Sequence, residues 1–536
     1  MPRLFVLFII LINPFITNAQ VYIISQSTGG DQTIYLQKIL NDKNVNTLVF
    51  DTPTFLVNGE VNVPKNKELR FENGSMLSGH GVINGGIIEA DYHSQIFDSS
   101  ITINPQAVNQ YFSVKWFGAK GDRSFNDHNS IQQAINTCIK NNIRTVFFPT
   151  GTYKIDEPLI ERALPSSNRF FTLELLGESS FWDSNQGSEI LTSFKDAFAI
   201  GIQLGKGCKI RKLKFTGLFK VPQFANTKDF YNASFEKFID PQCRDNRYSP
   251  YAAIVIDPFS HGSESTLPEG SQYPKLQQYY GNKINDGEIR GGSTGTELEE
   301  LNITNFVVGI CSSPNGITQN AEITLINKIQ FANCKLCISA GQAQEKANTI
   351  SNIYCWGGTH TIFATGLYGK IREAGNWNID HVNIAGGVVR FIDNDQHGYF
   401  PTYISHVFAE SLGSWGTINS EIACEILDCM IDFAYKNEAS EQTLLTSWGK
   451  LITYRSCNFR YYGEKTPLHF EGNATFENCF FSGPVKTSNS IMGVPLKFPS
   501  LNNKILFIIT AFISLIIISV VLKKRFYFKP TIQKTH

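Results

Sequence analysis

"VKWFGAKGDRSFNDHNSIQQAINTCIKNNIRTVFFPTGTYKI", residues 114–155, sets the terms for the whole chain. A run of aromatics and glycines leads into a short amphipathic segment. That segment gives way to a β-rich phrase closed by Pro149, Gly151 and Tyr153. Between Asn129 and Asn142 the apolar residues are Ile131, Ala134, Ile135, Cys138 and Ile139, one stripe at helical spacing. No comparable stripe follows for roughly three hundred residues. A lone helix at the head of a long strand-rich chain needs an architectural reason.

Repeats supply it. Downstream, short phrases share one shape: an apolar residue, a spacer, a turn residue, then an apolar residue or Cys. They are "ITNF" at Asn305, "FANC" at Asn333, "ISNI" at Asn352, "IDHV" at His381, "ISHV" at His406, "ILDC" at Asp428, "YRSC" at Ser456 and "FENC" at Asn478. By subtraction the turn residues are 28, 19, 29, 25, 22, 28 and 22 apart, and "KIRKLKFTG" near Lys212 is an earlier member. Short strands at this spacing, without heptads, predict a solenoid whose coils touch only their neighbours. Stacked coils place turn residues in columns, where Asn tolerates left-handed backbone. The next residue should point inward: Phe306, Cys334, Ile353, Val382, Val407, Cys429, Cys457 and Cys479. The 11 Cys of an exported chain cannot all pair, and in-register Cys429, Cys457 and Cys479 read as stacked buried thiols, a disulfide being the alternative. On this reading the opening helix covers the open end of the solenoid, and "TVFFPTGTYKI" is its first coil.

"VKWFGAKGD", an amphipathic helix and "VFFPTGTYKI" together resemble the N-terminal signature of the pectate-lyase-like superfamily. More narrowly, they are similar to the β-helix domain shared by rhamnogalacturonase-type enzymes, epimerases and phage tailspike depolymerases. The resemblance implies an all-β, right-handed parallel β-helix with an N-terminal capping helix, and it speaks to fold more than to activity. One departure stands out: the family usually carries Gly after the Gly-Asp pair, where this chain has Arg123.

The two ends carry topological signals. Residues 1–19, with Arg3 and an apolar run from Leu4 to Ile12, read as a signal peptide, with an uncleaved anchor as the alternative. Residues 505–522 are uncharged and apolar and are followed by Lys523, Lys524 and Arg525, which predicts a C-terminal transmembrane helix with its tail, 523–536, in the cytoplasm. That tail also resembles a cell-surface sorting signal. Residues 20–110 read as a small β prelude, 111–484 as the β-helix and 485–504 as a linker. The body is thus expected outside the cytoplasmic membrane, tethered at its C-terminal end. Lys+Arg and Asp+Glu are balanced at 47 each, which excludes a field that would draw nucleic acid.

Ligands of long β-helices lie along an outer sheet, so chemistry is sought in outward columns. Four residues past each turn stand Gly309, Cys337, Trp356, Ala385, Glu410, Asp432, Arg460 and Ser482. Glu410 and Asp432 on adjacent coils suit the carboxylate pair of a glycosidase, whereas an acid–acid–base column equally suits a solvated ladder. A second grouping lies further round: Gln342, Thr361, Arg390 and Trp415 nine past the turn, Glu345 and Asp393 twelve past, with His360 beside Thr361. Trp356, Trp377 and Trp415 are expected to stack on sugar rings and Arg390 to hold a uronate, with core packing the alternative for each Trp. "GHG" at 79–81 lacks its companion motifs, and Cys334 with Cys337 is a CxxC without a second pair. The expected function is a membrane-anchored protein acting on polysaccharide. In a hydrolase Glu410, Asp432 or Asp393 would be acid and base, without metal or other cofactor. A lyase would need Arg390 or Arg460 near the sugar carboxylate, usually with calcium. The alternative is a non-catalytic glycan-binding or structural surface protein.

Overall fold

The structure is a computed structural model. It describes residues 20–487 apart from 28, 105–109, 163–170, 181–186, 196, 204, 221–250, 259–291, 313–321, 335, 341–346, 357–360, 366–376, 394–401, 434–442 and 462–467. The leader 1–19 and the apolar run 505–522 lie outside the described residues. Among those described, no helix is long and apolar enough to cross a membrane.

From Tyr111 to Thr487 the backbone winds into stacked parallel coils. Thr145–Phe148, Gly151–Ile155 and Leu159–Arg162 make one coil, and each strand pairs in parallel with its counterpart Glu174–Gly177, Ser188–Thr192 or Ile200–Gln203 in the next. Three parallel faces result. Side chains alternate in and out along every strand. Inward positions are filled by Ile, Val, Leu and Phe, such as Ile210, Leu298, Ile326, Ile350, Ile379 and Ile404, all buried. Each is worth roughly 1.5–3 kcal/mol of hydrophobic stabilisation. Later coils lose the breaks between faces: Trp377–Asp393 and Thr402–Leu427 run as continuous strands round the corners.

The bend between the first and second faces is a column of left-handed residues. Lys212, Glu300, Lys328, Asn352, His381, His406, Asp428, Ser456 and Asn478 all hold φ between 51° and 56°. The flanking pairs put them level, as in Asn327↔Ser351 with Ile329↔Ile353, and Asp380↔Ser405 with Val382↔Val407. Six of the eight sequence phrases mark this bend. Asn305 and Asn333 do not: they form the next corner five residues on, joined amide to amide at 3.2 Å. Glu300 and Lys328 occupy the first bend in those coils, and neither residue type announces left-handed backbone. Gly309 and Cys337 therefore leave the outward column. Level with Trp356 stands Ala332, itself level with Thr304 in the coil before.

The thiol column is buried as expected at Cys429 and Cys457 and half-buried at Cys479. Cys429, Cys457 and Cys479 follow one another on successive coils, and every cysteine among the described residues is a free thiol. Burial pushes the Cys334 thiol up to about 12, so it behaves as a small apolar side chain.

The opening helix spans His128–Asn141, with Ile131, Ala134, Ile135, Cys138 and Ile139 buried as their spacing requires. Gln132 does the work of a neighbouring strand: its amide donates to the Ile160 carbonyl at 2.8 Å and accepts from the Ile160 N–H at 2.9 Å. Ahead of the helix Asp127 ties the glycine-rich loop, accepting from the N–H groups of Lys120 at 2.6 Å and Gly121 at 3.1 Å. Burial outweighs those bonds and raises its carboxyl to about 6. Arg123, in the place where the related signature has Gly, adopts φ 71°. The first coil starts earlier than "TVFFPTGTYKI", because Tyr111–Ser113 and Asp122–Asn126 already pair with it on two faces.

The N-terminal segment is a second parallel stack, with strand order Gln20–Ile24, Val45–Phe50, Glu60–Phe71, Val82–Ala90, Thr102–Asn104. It contains a helix that the sequence reading omitted, Thr33–Asn41, which buries Leu36, Ile39 and Leu40. "GHG" serves this stack. A Cβ on Gly79, whose φ is 96°, would come within 2.5 Å of the Val57 carbonyl oxygen. Gln133 and Lys140 of the His128–Asn141 helix reach Ile101 and Asn104, joining the two stacks.

Candidate functional site

Along the early coils the outer side chains of the first face close on one another as ion pairs. Lys209 meets Glu297 at 2.5 Å, Arg211 meets Glu299 at 3.2 Å and Glu174 at 3.4 Å, and Lys214 across the bend meets Glu189 at 3.3 Å. Lys209, Arg211 and Lys214 are thus balanced by acids on neighbouring coils.

The same columns change character further along. Two residues past the bend, the second face presents Gln330, Tyr354, Asn383, Phe408, Met430 and Asn458 in unbroken register. Tyr354 is 36% exposed and Phe408 37%, and Phe480, further along the same column, is exposed as well. Four past the bend the column runs Trp356, Ala385, Glu410, Asp432, Arg460. Ala385 pairs with Glu410 and Asp432 with Arg460. Trp356 is half-buried and Glu410 exposed. A register shift falls at Glu410: between Ala409 and Leu412 the strand carries an extra residue against Ile431–Phe433. Such bulges re-aim side chains and gather near active sites. Asp432 is 15% exposed, with Arg460 Nε at 3.7 Å from its Oδ1.

At the bend bordering this face, three further side chains converge. His381 Nδ1 stands 2.5 Å from Asp380 Oδ2, and His406 Nδ1 2.7 Å from Asp380 Oδ1. The two imidazoles stack with centroids 4.8 Å apart, and the Ser405 hydroxyl donates to Asp380 Oδ1 at 2.7 Å. Burial acts to raise the Asp380 carboxyl, but hydrogen bonds from His406, Ser405 and His381 hold it below its ordinary value.

The sequence-derived residues divide accordingly. Trp356, Glu410, Asp432 and Arg460 share the outer face. Trp377 and Trp415 do not: both point into the core, Trp377 against Phe363 and Trp415 against Phe391, with the Trp415 indole N–H donating to the Tyr454 hydroxyl at 3.2 Å. They fall on inward positions, so packing claims them and no sugar can reach them. The backbones of Arg390 and Asp393 lie on the third face, level with Gly416 and Asn419. Gln342, Glu345 and His360 lie outside the described residues. Sequence reasoning missed Tyr354, Phe408 and the Asp380 cluster. Its own phrases held the signal: "IDHV" and "ISHV" put His on consecutive coils, and two residues on, the outward column is Tyr, Asn, Phe.

Residues 111–182 match the family model described as rhamnogalacturonase A/epimerase, pectate lyase-like, and the parallel coils continue from them to Thr487. Curated proteins give no match. Solved structures give several. The ORF18 protein of Geobacillus virus E2 is 12% identical, covering 72% of this chain and 62% of its own length, at TM-score 0.34; the chain therefore spans less than two thirds of that relative. A mannuronan C-5 epimerase A-module from Azotobacter vinelandii is 12% identical over 72% of this chain and 100% of its own, at TM-score 0.37. A family 28 exopolygalacturonase of Yersinia enterocolitica is 13% identical over 72% and 80%, at 0.33.

Proposed function

We propose that this pectate-lyase-like parallel β-helix acts on polysaccharide laid across the second face of its later coils. One observation carries the reading: exposed Tyr354 and Phe408, with Trp356 beside them, share an outer surface with Glu410 and Asp432. Aromatic faces pack against the apolar faces of sugar rings. Adjacent coils rise by roughly 4.8 Å, close to the ~5–5.5 Å between the carboxyls of a retaining glycosidase. Exposed Glu410 is assigned as the acid that protonates the leaving oxygen. Asp432, with Arg460 Nε 3.7 Å away, is assigned as the opposing carboxylate. Product analysis after incubation with a polysaccharide array tests this. New reducing ends from the wild type and none from a Glu410→Gln, Asp432→Asn double variant are expected; unchanged cleavage by the variant removes the pair from the reaction.

A second reading, glycan binding without cleavage, draws on the Asp432–Arg460 pair, because a carboxylate engaged by a guanidinium is a poor base. Binding with no cleavage by the wild type would establish it.

To the same proposal belong the right-handed winding that parallel crossovers nearly always take, and the role of His128–Asn141 as cover for the first strand of the third face, supported by the two Gln132–Ile160 bonds. So does export with anchoring through 505–522, supported by its apolar length and trailing basic residues. Carbonate extraction of membranes, which leaves an integral span in the pellet, tests the anchor.

A further inference from the structure

We infer that Asp380, His381 and His406 form a binding site for a divalent transition-metal ion of the zinc class. One donor atom from each lies within 4.8 Å of the others, and both Nδ1 atoms already face separate oxygens of one carboxylate. A tetrahedral ion with bonds of about 2.0–2.1 Å holds its donors about 3.3 Å apart. The two nitrogen–oxygen contacts open to that spacing by a small outward swing of each ring. The rings have room to do so, the imidazoles being 60% and 53% exposed. Two nitrogens and one oxygen select zinc, nickel or copper over calcium and magnesium, which take oxygen donors. The exposed side leaves coordination positions open at the margin of the Tyr354–Asn383–Phe408 column.

The fold itself does not ask for imidazole at this bend. The same column is served by Lys212, Glu300, Lys328 and Asn352 in earlier coils and by Asp428, Ser456 and Asn478 in later ones, all with the same left-handed backbone. Two consecutive histidines, with an aspartate fixed between them by Ser405, are therefore a chemical choice. The site is independent of the polysaccharide reading and stands or falls without it.

The test is calorimetric titration of the full-length chain with zinc chloride, alongside thermal unfolding at rising zinc. The wild type is expected to bind one ion per chain and to unfold at higher temperature as zinc increases, since a ligand that binds only the folded state stabilises it. Calcium should do neither. Asn tolerates this backbone, as Asn352 does one coil earlier, so a His381→Asn, His406→Asn variant should keep the wild-type circular dichroism and lose both responses. Asp380→Asn should weaken zinc binding by at least about tenfold. No zinc uptake by the wild type, or equal uptake by the double-histidine variant, overturns the site. A calcium response abolished by Asp380→Asn overturns its assignment to a transition metal.

Discussion

The early coils, residues 174–332, and the later coils, 349–461, share one backbone plan and differ in what they hang on it. In the early coils outer columns are ladders of opposite charge, Glu174–Arg211–Glu299 and Lys209–Glu297, closed on themselves. In the later ones the same columns hold Asp380 beside two imidazoles before ion pairing resumes at Arg455 with Glu425 and Glu477, and the second face carries Tyr354, Phe408, Trp356 and exposed Glu410. A parallel solenoid keeps its core constant and leaves its outside free. Function is then a local change of side chains along a column, with no change of fold.

The largest effect separates inside from outside. Trp415→Ala, in the core, should cost about 3–5 kcal/mol of stability. Trp356→Ala should cost far less and weaken glycan binding instead. Denaturant unfolding and a binding assay on both variants measure the contrast.

Burial also leaves Glu161 without a hydrogen-bond partner among the described residues. Glu161, on the Leu159–Arg162 strand of the third face, is fully buried with neither carboxyl oxygen bonded, and burial raises its pKa well above the usual 4.5. Below the unfolded value both states are protonated and the group is neutral to stability. Above it the unfolded chain ionises and the folded one does not, so stability falls as pH rises towards the folded value. Glu161→Gln should therefore raise the melting temperature at pH 7 and leave it nearly unchanged near pH 4. An equal gain at both would mean that ionisation is not the cause.

Two smaller effects refine the picture. Arg123→Gly should stabilise by about 1 kcal/mol, since glycine holds φ 71° without a Cβ clash. Lys209→Ala should cost under about 1 kcal/mol, and less still in high salt, because its ion pair with Glu297 is partly exposed.

What could be read from the sequence follows from the physics of bends. Asn352, His381, His406 and Asp428 announced a left-handed corner because their short or planar polar side chains tolerate it. Glu300 and Lys328 take the same φ without any such signal, so the early repeats were read one corner late. The amphipathic stripe of His128–Asn141 was plain over 14 residues. The nine-residue helix Thr33–Asn41, among strand-like phrases, was not. Tryptophans proved hardest: parity decides whether one faces core or solvent, and Trp377 and Trp415 fell inward once the bends were placed. The Asp380 cluster was hidden for a different reason, since its members had already been given a role as turn residues.

The claim that the later coils carry the carbohydrate face is tested most directly by polysaccharide affinity after removing the two exposed rings. Tyr354→Ala with Phe408→Ala should weaken binding at least tenfold, about 1.4 kcal/mol, while Gln330→Ala and Asn302→Ala, one and two coils earlier in the same column, leave it unchanged. Equal affinity in the aromatic variant, or an equal loss in the early-coil variant, would contradict the account.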